Sequence, residues 1–134
     1  QDLAWEKTVE NNKNRPEYLY AYSMYLKNKE DYTRALDNLD KTIALDNNYA
    51  LAHFLKGDIY RVLGQYKNAV LSYLETVKIN PFCTDAYFNI AKIFEEFGAI
   101  DLALDFYGYA YITNPADIEV RNNILKLRKQ MALK

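Results

Sequence analysis

The chain has 134 residues, 50% of them hydrophobic and 26% charged, with a formal net charge of −1. That length suits one domain with a buried core, and the near-neutral balance excludes the strong field of a nucleic-acid or membrane-surface protein. No apolar run approaches the ~20 residues of a membrane span, and the single cysteine, Cys83, excludes an internal disulfide.

The chain starts at Gln1 without a secretory leader pattern, so its start is expected to be a processed end or an artificial boundary. Residues 1–15 contain LAWEKTVENN, which predicts a short helix. After it, apolar residues recur at three- and four-residue steps. Leu19, Tyr22 and Leu26 form one such row; Ile59, Tyr60 and Leu63 form a second; Tyr87, Ile90, Ile93 and Phe94 form a third. This spacing is helical and not the alternation of strands. Residues 117–132 predict a last helix, with Val120, Ile124 and Leu127 as its apolar stripe. Glycine and proline are scarce, at four and three. The fold class is therefore expected to be all-α.

The helical rows repeat. Segments 16–49, 50–83 and 84–117 superpose at an interval of 34 residues. Ser23, Gly57 and Ala91 align, followed by Leu26, Tyr60 and Phe94. Ala35, Ala69 and Ala103 align, then Leu39, Tyr73 and Tyr107, then Thr42, Thr76 and Ala110. INP at 79–81 falls on TNP at 113–115 and on LDN at 45–47. A small residue lets two helices cross closely and a large one fills the gap beside it. Pro81 and Pro115 end the second helix of their segments.

This order of small, aromatic and proline positions resembles the tetratricopeptide repeat, a helix–turn–helix unit of 34 residues. The resemblance implies an α–α superhelix, with units at 16–49, 50–83 and 84–117 and a capping helix over 118–134. The first unit departs most. Glu30 stands where the others have Gly64 and Gly98, and Asn47 stands where they have proline; in the second unit Lys56 occupies a place that is usually apolar. Within residues 1–15, Trp5 aligns with Leu39, Tyr73 and Tyr107, and Thr8 with Thr42 and Thr76. This segment reads either as the tail of a preceding unit or as a dedicated N-terminal helix that caps the stack or mediates dimerisation.

Catalysis is not expected. His53 is the only histidine and Cys83 the only thiol, so a zinc site built from several of them is excluded. His53 falls at a packing position and Cys83 in the turn after Pro81. Glu95 and Glu96 are adjacent on a helix, where side chains point about 100° apart and do not form an acid/base pair easily. GQYKNA lacks the glycines and the Lys-Ser/Thr of a phosphate loop. No cofactor and no metal are expected.

The resemblance implies instead that the first helix of each unit lines a concave groove for a peptide or partner helix. The inward row at i, i+4, i+7 is then Tyr20, Met24 and Lys27; Phe54, Asp58 and Arg61; and Phe88, Lys92 and Glu95, continued by Asn122, Lys126 and Lys129. Its leading members are aromatic, and the rows behind them carry both signs. Chaperone-binding relatives clamp an acidic C-terminus with Lys, Asn, Asn, Lys and Arg. The matching places here hold Tyr20, Met24, Leu55, Asp85 and Asn89, or, one unit on, Phe54, Asp58, Asn89, Glu119 and Asn123. A receptor for a chaperone tail is therefore not expected.

The expected function is a non-catalytic scaffold that binds an extended or helical segment of a protein partner, with no nucleic acid and no membrane insertion. Self-association through the terminal helices is a further expectation. Other readings are an assembly subunit, a chaperone of the secretion type, and a regulatory segment of a larger enzyme. A soluble chain is expected, with the cytoplasm the favoured compartment.

Overall fold

Eight α-helices make up the regular structure of residues 1–133, the part of the chain that the computed structural model describes. They are α1 (Asp2–Asn11), α2 (Pro16–Asn28), α3 (Tyr32–Leu45), α4 (Ala50–Val62), α5 (Tyr66–Ile79), α6 (Thr84–Glu96), α7 (Ile100–Thr113) and α8 (Ile118–Ala132). No strand occurs among the described residues. The contacts group into two compact units, Gln1–Ser72 and Tyr73–Lys134, and α5 runs across the boundary.

Three hinges have one geometry. In each, the amide three residues past the helix end bonds back across five residues: Asp31 N–H to Leu26 O, Gln65 N–H to Tyr60 O, and Ala99 N–H to Phe94 O, at 2.9, 2.8 and 2.9 Å. A second bond sits inside it, from Glu30, Gly64 and Gly98 to Lys27, Arg61 and Glu95. This is the Schellman closure, which satisfies orphan carbonyls and places one residue in the left-handed region. Gly64 and Gly98 have φ of 76°, and Glu30 has φ of 61°. The departure seen at Glu30 is therefore one of side chain only; the backbone does there what glycine does elsewhere.

A residue with a Cβ pays roughly 1–2 kcal/mol in that region. Glu30 is exposed, so replacing it removes no packing. Glu30→Gly is expected to stabilise the chain by about 1 kcal/mol, read as a rise in the urea midpoint at unchanged slope. A lower midpoint would show that the Glu30 side chain holds the hinge in some other way.

The exits of the second helices also share a geometry. Asp46, Asn80 and Asn114 each donate an amide to the helix end and accept from the residue three on, Tyr49, Cys83 and Asp117. Asn47 makes this turn without the proline present at 81 and 115, and the Asp46 carboxylate accepts from Asn48 N–H at 3.0 Å. Asn80 does the same for Phe82 N–H. The side chain at the turn's first position thus closes the turn both with Pro81 and without a proline.

Helix starts are set locally. Pro16 occupies the first turn of α2, where its missing N–H costs nothing. Asp31 caps α3 through Arg34 N–H, and Asp117 caps α8 through Glu119 and Val120 N–H.

In the first unit, Tyr22, Leu26, Ala35, Leu39, Ala52, Leu55 and Ile59 are buried together. In the second, Ala91, Ala103, Tyr107 and Leu127 are. Ala35, Ala69 and Ala103 have no accessible surface, and nor do Leu39, Tyr73 and Tyr107. The small and large positions of the repeat are thus the crossing and filling positions of the core. The buried hydroxyls of Ser23 and Thr42 are satisfied within their own helix: Ser23 donates to Leu19 O and Thr42 to Asn38 O, both at 2.8 Å. Each large side chain buried this way contributes about 1.5–3 kcal/mol.

Candidate protein-interaction surfaces

In the first unit the predicted row lies on α2 and α4. Tyr20 is half-buried and tilts against Tyr49 at a centroid distance of 5.3 Å. Burial raises the pKa of its phenol, with Tyr49 and the Asp58 carboxylate adding to the shift. Met24 is 44% exposed, a large apolar side chain offered to solvent. Lys27 and Phe54 are half-buried. Arg61 is exposed and pairs loosely with Asp58 at 3.8 Å, one turn away.

In the second unit the row lies on α6. Phe88 stands edge-on to Tyr107 at 5.7 Å and leans on the buried cluster, so one side of its ring belongs to the core. Lys92 and Glu95 follow it. Glu95 is bound on both oxygens: Tyr107 donates at 2.6 Å and Lys126 of α8 at 2.8 Å. Only 17% of its side chain is exposed. Partial burial pushes its carboxyl up, but the bonds from Lys126 and Tyr107 and the nearby positive charges outweigh that, and its pKa lies below the usual carboxylate value. Burial, and then the bond to Glu95, raise the Tyr107 phenol. Glu95 thus links α6, α7 and α8 in addition to its place in the row.

A second centre, around Arg34, has no counterpart in the sequence reading. Its guanidinium bonds Asp31, Glu6 and the Tyr22 hydroxyl, joining α1, α2 and α3. Trp5 stacks on Tyr22 and on Tyr25 at 5.7 Å each, and Tyr25 donates to Asp2 at 2.6 Å. The aligned positions to Arg34 hold Asn68 and Leu102, so the period carried no signal for it.

The second helices carry exposed apolar side chains that the sequence reading did not single out. On α7, Leu102, Tyr109 and Ile112 share one face at steps of seven and three, and Ile112 is 74% exposed. On α5, Leu71 and Leu74 are exposed.

His53 bonds the Asn47 carbonyl at 3.2 Å, and Cys83 is the residue before α6. Among the described residues no three His, Cys, Asp or Glu side chains gather as a metal set. Among them, too, no helix is long and apolar enough to cross a membrane.

Comparison with known proteins agrees with this architecture. A family model described as tetratricopeptide repeat matches residues 20–82. A TPR repeat-containing protein of Methanocaldococcus jannaschii, MJ1428, is 28% identical over 103 residues, which is 77% of this chain and 18% of that protein. The chain spans less than a fifth of the length of the curated relatives it matches. The crystal structure of MamA superposes with a TM-score of 0.86 at 20% identity, over 97% of this chain and 76% of that one. The structure of YrrB, described as a TPR protein with an unusual peptide-binding site, superposes with a TM-score of 0.78 at 25% identity, over 90% of this chain and 62% of that one.

Proposed function

We propose that this chain, a tetratricopeptide-repeat protein, is a protein-interaction scaffold that holds an extended or helical segment of a partner on the first helices of its repeats. The observation that carries the reading is the α2–α4 face. There α2 carries exposed Met24 one turn after half-buried Tyr20, with Lys27 following, and α4 carries half-buried Phe54 with Asp58 and Arg61 after it. An apolar anchor beside half-buried aromatic rings, rimmed by both charge signs, suits a partner with apolar side chains and mixed charge. Phe88 and Lys92 offer the same chemistry on α6. The peptide-binding site described for YrrB supports the same class of partner. Nothing in these faces is built for bond-making, so the reading is non-catalytic and needs no cofactor. The Tyr107–Glu95–Lys126 set is a structural tie.

A second reading is an assembly subunit that stacks through its second helices. The stripe of Leu102, Tyr109 and Ile112 on α7 favours it, because exposed apolar residues sharing one face mark interaction surfaces.

Photo-crosslinking from position 24 and from position 112 in native lysate separates the two. The first reading expects a discrete partner captured from position 24 and not from position 112. Capture from position 112 alone would replace it with the second.

A further inference from the structure

The helix α7 differs from the other second helices on one face. Leu102, Asp105, Tyr109 and Ile112 follow each other at steps of three, four and three residues, the seam of a helix that pairs with another helix. All four are exposed, and Tyr107, on the opposite side of α7, is buried in the unit's own core. The aligned places hold Arg34, Asp37, Lys41 and Ala44 on α3 and Asn68, Leu71, Glu75 and Lys78 on α5. These are mostly polar, as an outer face in water should be. The unit of α5 has a full unit before it and another after it in the chain, yet its four places are all exposed. The seam therefore belongs to a side of the repeat that further units at either end would leave open, and the apolar residues of α7 call for another occupant.

The seam is complementary to itself. Against a second α7 running antiparallel, Leu102 meets Ile112 and Asp105 meets Tyr109, each pair occurring twice about one two-fold axis level with Tyr107. The aliphatic pairs lie at the two ends. Nearer the axis, each phenol can donate to the carboxylate of the other copy, so the acid that interrupts the apolar row gains a partner and fixes the register. The rings of Tyr87 and Phe106, at 5.7 and 5.4 Å, already hold Tyr109 in place. Gly108 is an independent observation. It lies inside α7, where glycine weakens a helix, and a Cβ built there would touch no packed neighbour within 4 Å among the described residues. The chain's own packing does not require glycine at that place. In the antiparallel pair the two copies of Gly108 come side by side at the axis and let the backbones approach.

We infer that α7 pairs antiparallel with α7 of a second copy of this chain, through the seam Leu102, Asp105, Tyr109 and Ile112, to give a closed two-fold dimer. The inference rests on the second reading above, that this face is an interaction surface, and names its occupant. It uses none of the first-helix residues proposed to hold a partner. A contact made by one 14-residue helix from each copy falls below the roughly 1,200 Å² of stable interfaces, so the dimer is weak and reversible. Asp101 and Asp105 bring like charges from both copies to the contact, so salt tightens it.

Sedimentation of the 134-residue chain is expected to show a reversible monomer–dimer equilibrium that stops at the dimer and tightens as sodium chloride rises from about 50 to 500 mM. Ile112→Glu is expected to weaken association at least about tenfold, and Leu71→Glu, exposed on α5, to leave it unchanged. Gly108→Gln is expected to raise the thermal midpoint of the monomer and yet weaken association, which a merely structural glycine would not do. Disulfide formation reads the register. In a Cys83→Ser background, an equimolar mixture of Leu102→Cys and Ile112→Cys is expected to cross-link, and neither variant alone, because like positions lie about 15 Å apart along the two axes. A chain monomeric at every concentration, association that survives Ile112→Glu, or single variants that cross-link as well as the mixture would each overturn the proposal. In the lysate, position 112 is expected to capture this chain itself. Capture of a different protein there would overturn the self-pairing and keep the second reading; capture of nothing would overturn both.

Discussion

Tyr107→Ala is expected to destabilise the second unit by about 3–5 kcal/mol, a large part of the 5–15 kcal/mol that holds a typical domain together. The ring has no accessible surface and sits in one cluster with Ala91, Ala103 and Leu127. Its removal leaves a cavity between α6, α7 and α8 and strips Phe88 of its edge-on partner. It also takes a hydrogen-bond donor from Glu95. Urea unfolding at pH 7 measures the loss. Tyr111→Ala is the control: that ring is exposed, and its removal is expected to move stability by less than about 0.5 kcal/mol. A Tyr107→Ala effect as small as the control's would show that the ring does not hold the unit together.

Tyr107→Phe separates the ring from the hydroxyl. It keeps the packing and is expected to cost about 1 kcal/mol near neutral pH. The pH dependence follows from Glu95. Its folded pKa is held below the ordinary 4.5, so the stabilisation it confers is complete above that value and is lost as pH falls through the lowered one. Tyr107→Phe removes one of the two donors that lower it. The gap between wild type and Tyr107→Phe is therefore expected to narrow below pH 4.5. A gap constant down to pH 3 would mean that the bond to the charged carboxylate contributes nothing.

Phe54→Ala combined with Phe88→Ala is expected to weaken partner binding by about 2–4 kcal/mol, roughly thirtyfold to a thousandfold, since aromatic anchors carry most of an interface's energy. Both rings are half-buried, so each has a face to give to a partner and a face in its own unit. Phe88 also packs against Tyr107, and its truncation costs some stability. Binding is therefore measured at a temperature where circular dichroism shows the helices intact. Phe88→Leu paired with Phe54→Leu keeps apolar volume but removes the rings, and is expected to lose affinity with a smaller cost in stability. Unchanged binding by a folded double alanine variant would remove the first-helix faces from the interface.

The two aromatic positions show where sequence reasoning reached and where it stopped. Their place on first helices follows from the period, because Tyr20, Phe54 and Phe88 recur at one phase. Their surroundings do not. Tyr20 leans on Tyr49 and Phe88 on Tyr107, and which partner a ring meets depends on helices that are distant in the chain. Glu95 makes the same point more sharply. Its spacing put it in the binding row, and the fold brings it against Tyr107 and Lys126, which lie 12 and 31 residues away. Arg34 left no trace in the period at all. Its partners come from α1, α2 and its own helix cap, and the aligned residues have no charge.

What the sequence by itself determined is local and periodic: eight helical stretches, the hinges between them, and the small and large positions of the core. Helix phase, capping and hinge closure act over a few residues, so a repeat spaced at 34 writes them directly into the order of side chains. Even Glu30 keeps its hinge, because the same bonds on either side over-determine the backbone there. What only the tertiary structure decided is which polar groups are bound within the fold and which apolar faces stay uncovered. Trp5 is the clearest case. Its alignment with Leu39, Tyr73 and Tyr107 predicts a buried side chain, but in the structure it is half-buried, with its ring stacked on Tyr22 and Tyr25 of the neighbouring helix. Burial belongs to pairs of elements, and a single helix cannot encode it alone.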